Sequence, residues 1–99
     1  MIVVMGTVRI PPEKVEIARP VMTATVEATR AEDGCIAYAY AVDLLDPGLI
    51  HIAERWRDKA ALAAHVKAPH MDAWRAAQPG LGLSERNIRI YETDEGVAV

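Results

Sequence analysis

The chain concentrates its chemically capable side chains in one stretch, residues 54–74, ERWRDKAALAAHVKAPHMDAW. Within it, His65 falls at the edge of an apolar helical stripe, so its ring can face the space between a helix and a sheet. A histidine there could act as a general base or donate a hydrogen bond to a substrate oxygen, or it could be a partly buried ring held by a backbone carbonyl. Trp74 is either a core anchor or an aromatic wall against which a planar ligand stacks.

The two histidines of this stretch, His65 and His70, are also possible metal ligands. His70 lies five residues beyond His65, and on one continuous helix that spacing turns the two rings about 140° apart. Metal ions need convergent ligands. His51 has the opposite strand parity from Ile52 and Glu54, so no third ligand is apparent. We therefore expect no metal here, and we expect His70 to close the helix junction or to lie at the rim of a ligand pocket.

Three further polar side chains fall on predicted strands. Glu54 shares the strand parity of Ile50 and Ile52, so it should point toward the buried side. It would then be a catalytic group, or a carboxylate bonded to backbone or to a second subunit, because a buried carboxylate needs a partner or a raised pKa. Tyr38 and Tyr40 lie on the bulky face of their strand. Their hydroxyls could orient a substrate carbonyl or phenol, or their rings could simply fill the core.

Hydrophobic periodicity predicts the elements that position these residues. The strands are predicted at residues 2–10, 35–43, 49–57 and 85–93, and the helices at residues 12–30, 59–67 and 69–78. Pro20 is predicted to bend the long first helix without breaking it. Asp58 is a predicted N-cap, and residues 79–82, PGLG, are a predicted loop.

The order of these elements, β-α-β-β-α-β, predicts an α+β ferredoxin-like fold, which is a four-stranded antiparallel sheet with its helices on one face. All 99 residues form a single predicted domain, with a tail after about residue 93 that is expected to fray. The other sheet face carries Val3, Met5, Ala37, Ala39 and Ala53. Because an apolar sheet face without helices usually marks an interface, we expect a homodimer formed sheet on sheet.

Composition argues against several classes of function. The net charge of −3 and the lack of a basic stripe argue against nucleic acid as a partner. Neither a signal peptide nor a membrane span is expected, and the one cysteine, Cys35, excludes an internal disulfide. The prediction is a cytoplasmic protein with a reduced thiol and no membrane association. No phosphate-binding glycine loop precedes a helix, so no flavin or nicotinamide site is expected.

Four segments together resemble one known family. VVMGTVRIPPEK, ATRAEDGCIAY, ERW and HVKAPHMDAW follow the order and spacing of the antibiotic biosynthesis monooxygenase domain, over residues 1 to about 92. Proteins of that family are small dimeric α+β barrels. They include oxygenases that convert quinols or anthrone-type phenols to quinones without a cofactor, and haem-degrading enzymes.

The resemblance implies a cofactor-independent monooxygenase that oxidises a small phenol, quinol or anthrone with O₂ as co-substrate. His65 would take or hold the phenolic proton. The expected substrate contacts are Tyr38, Tyr40, Trp74, His70, Gly6 and Glu54, with Gly6 leaving room on the first strand. Haem binding is disfavoured, because the haem-degrading branch carries an asparagine on that strand and this chain does not. A ligand-binding or stress-response module without catalysis, and an isomerase or mutarotase, remain alternatives on the same fold.

Overall fold

The computed structural model describes residues 1–99 and contains four strands and three α-helices. In chain order they are β1 (Ile2–Arg9), α1 (Val15–Arg30), β2 (Cys35–Val42), β3 (Leu49–Trp56), α2 (Lys59–Val66), α3 (Pro69–Leu81) and β4 (Ser84–Glu92). The strands form one antiparallel sheet in the order β2-β3-β1-β4. The predicted α+β ferredoxin-like fold is therefore confirmed.

The central strand β1 depends on Gly6 for its pairing with β4. A side chain at Gly6 would collide with the carbonyl oxygen of Asn87 and would lie 2.5 Å from Cα of Ile88. Both atoms belong to the β4 backbone, and the β1–β4 register shifts just beyond, between Thr7 and Arg9. The glycine therefore allows two backbones to approach closely.

Helix α1 follows a single 3₁₀ turn over Pro12–Lys14, so regular helix begins three residues later than predicted. The helix continues through Pro20, as predicted. Its fully buried residues are Val15, Ala18, Thr25 and Thr29. The Thr25 hydroxyl donates to the carbonyl oxygen of Val21 at 2.8 Å, which allows a polar residue to face the core.

The β2–β3 hairpin carries the two tyrosines, and a bulge near its start changes which residues face inward. The register shifts between Cys35 and Ala37, and Ile36 is 53% exposed although strict alternation along the strand would place it on the same face as Tyr38 and Tyr40. Tyr38, after the bulge, is buried. At the hairpin turn, Arg9 of β1 pairs with Asp46 at 2.9 Å.

Helices α2 and α3 meet at a short break. Asp58 caps α2 by accepting a hydrogen bond from the amide of Ala61 at 2.8 Å, as predicted. Helix α3 extends to Leu81, so the predicted loop at residues 79–82 is wrong over most of its length. The last helical turn accommodates Pro79, and the helix ends at Gly82, whose φ of 71° is left-handed.

Two clusters of buried side chains fill the space between the helices and the sheet. One surrounds Ile10 and Ile50, and the other surrounds Trp56, which is fully buried. The opposite sheet face has no helix, and Met5 and Tyr91 on it are 55% and 49% exposed. None of the helices is both long and apolar enough to cross a bilayer.

Candidate active site

A cavity of about 330 Å³ lies between helices α2 and α3 and the inner face of the sheet. Ten of its 15 lining residues are hydrophobic, which favours an apolar ligand of modest size. Five of the seven predicted site residues line it: Tyr38, Tyr40, Glu54, His65 and Trp74. The cavity therefore gathers most of the groups that the sequence singled out.

His65 is buried as deeply as Tyr38 in the wall of this cavity, and each is 2% exposed. Its Nδ1 lies 2.7 Å from Oε2 of Glu32, a carboxylate in the turn after α1. The ring packs beside Trp56 and Tyr38, with centroid distances of 4.7 and 5.3 Å. Because a carboxylate can only accept, Nδ1 carries the proton of this bond, and Nε2 is the nitrogen left to meet a ligand. The bond fixes both the tautomer and the orientation of the ring.

His70 approaches the same carboxylate from the other helix, with its Nε2 3.0 Å from Oε2 of Glu32. The prediction that the rings of His65 and His70 diverge is wrong, since the chain between them is not one continuous helix. Helix α2 ends at Val66 and α3 begins at Pro69. His70 does not line the cavity, so the structure places it away from the other predicted site residues. Its contact with Glu32 links the first turn of α3 to the turn after α1.

Tyr38 and Tyr40 act as a coupled pair. Their hydroxyl oxygens lie 2.5 Å apart, and their rings are tilted against each other at a centroid distance of 5.2 Å. Burial raises the pKa of the Tyr40 phenol to about 12 and raises the pKa of Tyr38 further. Both phenols are therefore neutral near pH 7. One of the two hydroxyl protons forms the hydrogen bond between the tyrosines, so the other hydroxyl can donate a hydrogen bond to a ligand oxygen.

Glu54 points into the core as its strand parity predicted, and it is 8% exposed. Its Oε1 accepts a hydrogen bond from the indole N–H of Trp56 at 2.9 Å. Burial raises the pKa of this carboxyl, and the indole hydrogen bond only partly offsets that effect. Glu54 thus has a structural partner within the monomer and still borders the cavity.

Trp74 is both a core anchor and a cavity wall. It is 6% exposed, belongs to a buried cluster, and packs against Tyr40 with a ring-centroid distance of 6.0 Å. Gly6, in contrast, does not line the cavity. The prediction that Gly6 leaves room for a substrate is wrong, because the space beside it is filled by the backbone of β4.

The family of the chain follows from its sequence. The model of the family described as antibiotic biosynthesis monooxygenase matches residues 1–77. The chain belongs to the antibiotic biosynthesis monooxygenase family. The segments that carry the resemblance are those that build β1, the end of α1, the hairpin and the α2–α3 junction.

Proteins from other organisms are similar to this chain over most of its length. An uncharacterized Synechocystis protein, sll1783, is 31% identical over 95% of this chain and 64% of its own length. The Escherichia coli protein named Probable quinol monooxygenase YgiN is 38% identical over 62% of this chain and 65% of its own length. The chain thus spans slightly less than two thirds of the length of these curated relatives. A crystal structure from Deinococcus radiodurans, 30% identical, superposes with a TM-score of 0.88 and covers 100% of this chain and 98% of that one.

Several site residues of this family member were missed by sequence reasoning. Glu32 lies just beyond the predicted end of the first helix, and nothing in the sequence ties it to a histidine 33 residues away. Arg86 and Ile88 of β4, and Met71 and Gln78 of α3, also line the cavity. The side of α3 that carries Trp74 could have indicated Met71 and Gln78, which lie three and four residues away on the same helical face.

A second groove, of about 280 Å³, runs between α1 and β2. Its ionisable groups are Arg19, Glu27, Arg30 and Tyr40, and it contains no histidine. Arg19 is already paired with Glu16 at 2.7 Å, on the open surface. The cavity between α2, α3 and the sheet is therefore the better candidate for proton chemistry.

Proposed function

We propose that this family member binds a small electron-rich phenol, quinol or anthrone in the cavity and oxidises it with O₂ without a resident cofactor. The observation that carries the proposal is the pairing of the buried His65, at the wall of an apolar cavity, with the partly buried carboxylate of Glu32. Membership of the family and the E. coli relative's name, Probable quinol monooxygenase, support the reaction class. The volume, near the lower end of the range for ligand pockets, favours a compact ring system.

The first step is removal of the phenolic proton. Nε2 of His65 accepts it, and the imidazolium that forms is stabilised by the carboxylate of Glu32, 2.7 Å from Nδ1. The remaining O–H of the tyrosine pair donates to the phenolate oxygen. Because the surroundings are largely apolar, both interactions are stronger than they would be in water.

The deprotonated substrate is itself the reductant for O₂. It transfers one electron to O₂, and the resulting radical pair joins to form a peroxide at a ring carbon. For an anthrone-type substrate, that carbon loses two hydrogens and gains one oxygen atom, and the second oxygen leaves with those hydrogens as water. The net change is one CH₂ and one O₂ converted to one C=O and one H₂O. The protein binds the ring against Trp74, holds the proton at His65 and keeps bulk water away from the intermediates.

We also propose that the helix-free sheet face pairs with a second copy of the chain. Exposure of Met5 and Tyr91 on this face supports the proposal, since both are large side chains that water solvates poorly. Light scattering on the protein as it elutes from a size-exclusion column should give twice the mass of one chain. The substitution Ala53→Glu, at the middle of the face, should lower the measured mass toward that of one chain. A monomeric wild-type protein would contradict this proposal.

The oxygenase proposal is tested by O₂ uptake with metal-chelated protein and a panel of anthrones, quinols and dihydroxynaphthalenes. We expect saturable uptake that matches quinone formation for at least one compound. His65→Gln should lower kcat by about 10²–10⁴-fold, the usual contribution of a general base. His51→Gln is the matched control, because His51 is an exposed ring bonded to Asp43 outside the cavity, and it should leave the rate unchanged.

Two results would count against the proposal. One is uptake no faster than autoxidation of the free compounds across the whole panel. The other is a folded His65→Gln variant, checked by circular dichroism, that turns over at the wild-type rate.

A further inference from the structure

Three potential metal ligands converge behind the cavity. One oxygen of Glu32 lies 2.7 Å from Nδ1 of His65 and 3.0 Å from Nε2 of His70. All three ligand atoms lie within 4.8 Å of one another. The three side chains come from three separate parts of the chain, namely the turn after α1, the last turn of α2 and the first turn of α3.

We propose that Glu32, His65 and His70 form a binding site for one divalent transition-metal ion, of which Zn²⁺ is the best fit. Two imidazoles and one carboxylate are the donor set of many zinc sites that keep an open coordination position. The same donor set also suits Co²⁺ and Ni²⁺, which have a similar preference for nitrogen ligands. Mg²⁺ and Ca²⁺ are disfavoured, because they prefer an all-oxygen shell.

The spacing of the ligand atoms is close to what a metal requires. With metal–ligand bonds of about 2.0–2.1 Å at angles near 90–110°, neighbouring ligand atoms lie about 2.8–3.4 Å apart. The His70–Glu32 separation of 3.0 Å already meets this range, and the His65–Glu32 separation of 2.7 Å must open slightly. The ring nitrogens of His65 and His70 lie within 4.8 Å of each other and must come into the same range. His70 sits beside the break between α2 and α3, where Ala68 supplies no side-chain cap, so the required shift falls on a weakly fixed junction.

The exposure of the ligands provides an entry path and a free coordination position. The side chain of His65 is 3% exposed, whereas those of Glu32 and His70 are 17% and 24% exposed. Water can therefore reach the ion from the side of Glu32 and His70. Neither of these residues lines the cavity, so the ion lies behind the His65 ring as seen from a bound substrate.

Occupancy of this site has a consequence for catalysis, which rests on the proposed function. A metal bound at Nδ1 of His65 requires a lone pair there, so the proton of the neutral ring must sit on Nε2. The nitrogen that the proposed function assigns to the substrate then donates a hydrogen bond and cannot accept a phenolic proton. The metal-loaded protein would bind the phenol but would be unable to deprotonate it through His65.

The site is tested by titrating the chelator-treated protein with Co²⁺ and Zn²⁺, without any substrate. We expect one ion per chain, a d–d absorption band from Co²⁺ that shows nitrogen coordination, and a rise in Tm as Zn²⁺ is added. His70→Asn and Glu32→Gln should each weaken binding by at least about tenfold, as losing even an outer partner of a metal ligand does. Both residues are partly exposed, so these variants are expected to fold.

His51→Asn is the matched control. His51 and Asp43 form another histidine–carboxylate pair, with the same 2.7 Å separation but without a second histidine. The variant should bind the metal as tightly as the wild type. Equal binding by wild type, His70→Asn and Glu32→Gln would overturn the proposal, and so would loss of binding in His51→Asn or no stoichiometric binding in the wild type.

The consequence for catalysis has its own readout. Zn²⁺ added at one equivalent should suppress O₂ uptake in the wild type and should suppress it much less in His70→Asn. If the metal binds at these residues and uptake is unchanged, the site stands and the proposed role of His65 as the base is overturned. If no compound supports uptake at all, the metal titration still decides the site by itself.

Discussion

Replacing Gly6 by alanine should destabilise the fold strongly, although the change adds a single methyl group. The new Cβ would lie 2.5 Å from Cα of Ile88 and would collide with the carbonyl of Asn87. Carbon atoms in good contact are about 3.5–4.0 Å apart, so β4 must move by about 1 Å or more. Overpacking usually costs about 1–3 kcal/mol, and the upper end is expected here because the obstacle is backbone and no side chain can rotate away.

The loss is measured by thermal and urea unfolding of the wild type and the variant. A loss of about 3 kcal/mol corresponds to a fall in Tm of roughly 12 °C or more in a domain of this size. Ligand binding should weaken too, because Arg86, Ile88 and Ile90 of the displaced strand line the cavity. Gly80→Ala is the matched control, since no heavy atom lies within 4 Å of its added methyl group.

Gly80 lies near the end of α3, where alanine is the better helix former, so its replacement should be neutral or stabilise by up to about 1 kcal/mol. If Gly6→Ala unfolds within about 2 °C of the wild type, β1 and β4 do not depend on the glycine for their close approach. The same follows if the two glycine variants lose stability equally.

Three further substitutions test separate features by unfolding measurements. Glu54→Gln keeps an acceptor for the indole of Trp56 but removes a carboxyl whose pKa is raised by burial. In the wild type, a raised pKa means that the stability of the fold falls as the pH rises above the carboxyl's ordinary pKa. The variant should therefore gain stability over the wild type at pH 8 and lose that gain near pH 4; a gain independent of pH would contradict the assignment. Tyr40→Phe leaves the buried Tyr38 hydroxyl without its partner and should cost about 1–3 kcal/mol, and a loss below about 0.5 kcal/mol would mean that the pair is not coupled. Asp58→Ala removes the N-cap of α2 and should cost about 1 kcal/mol, unlike Asp58→Asn, which keeps a capping oxygen and should cost less.

Local sequence signals were sufficient for the elements and their order. The alternation of apolar residues along β2 and β3 and the capping aspartate at residue 58 act over short distances, so they can be interpreted without a structure. The end of α3 was predicted too early, because Pro79 and Gly80 usually end helices and here occupy the last turn. The bulge that exposes Ile36 has no signature in the alternating pattern.

Several residues of the site could be predicted from the sequence, but the hydrogen bonds between them could not. Parity placed Glu54 inward, and the helical stripe placed His65 toward the sheet, as the structure has them. The Glu32 carboxylate between His65 and His70 could not be predicted, since it depends on how the end of α1 packs against the α2–α3 junction. The helix break at residues 67–68 changes the angle between the two histidines, and periodicity assumed a continuous helix.

If His65 takes the proton of a phenol bound in the cavity, the ionisation state of a bound chromophoric phenol must depend on this residue. A naphthol whose free form is protonated at the working pH would be titrated, without O₂, into chelator-treated wild type and His65→Gln while its absorption spectrum is recorded. We expect the wild type to shift the bound compound to its phenolate band and His65→Gln to bind it in the neutral form. A bound phenol that stays protonated in the wild type, or that ionises equally in both proteins, would show that His65 is not the base.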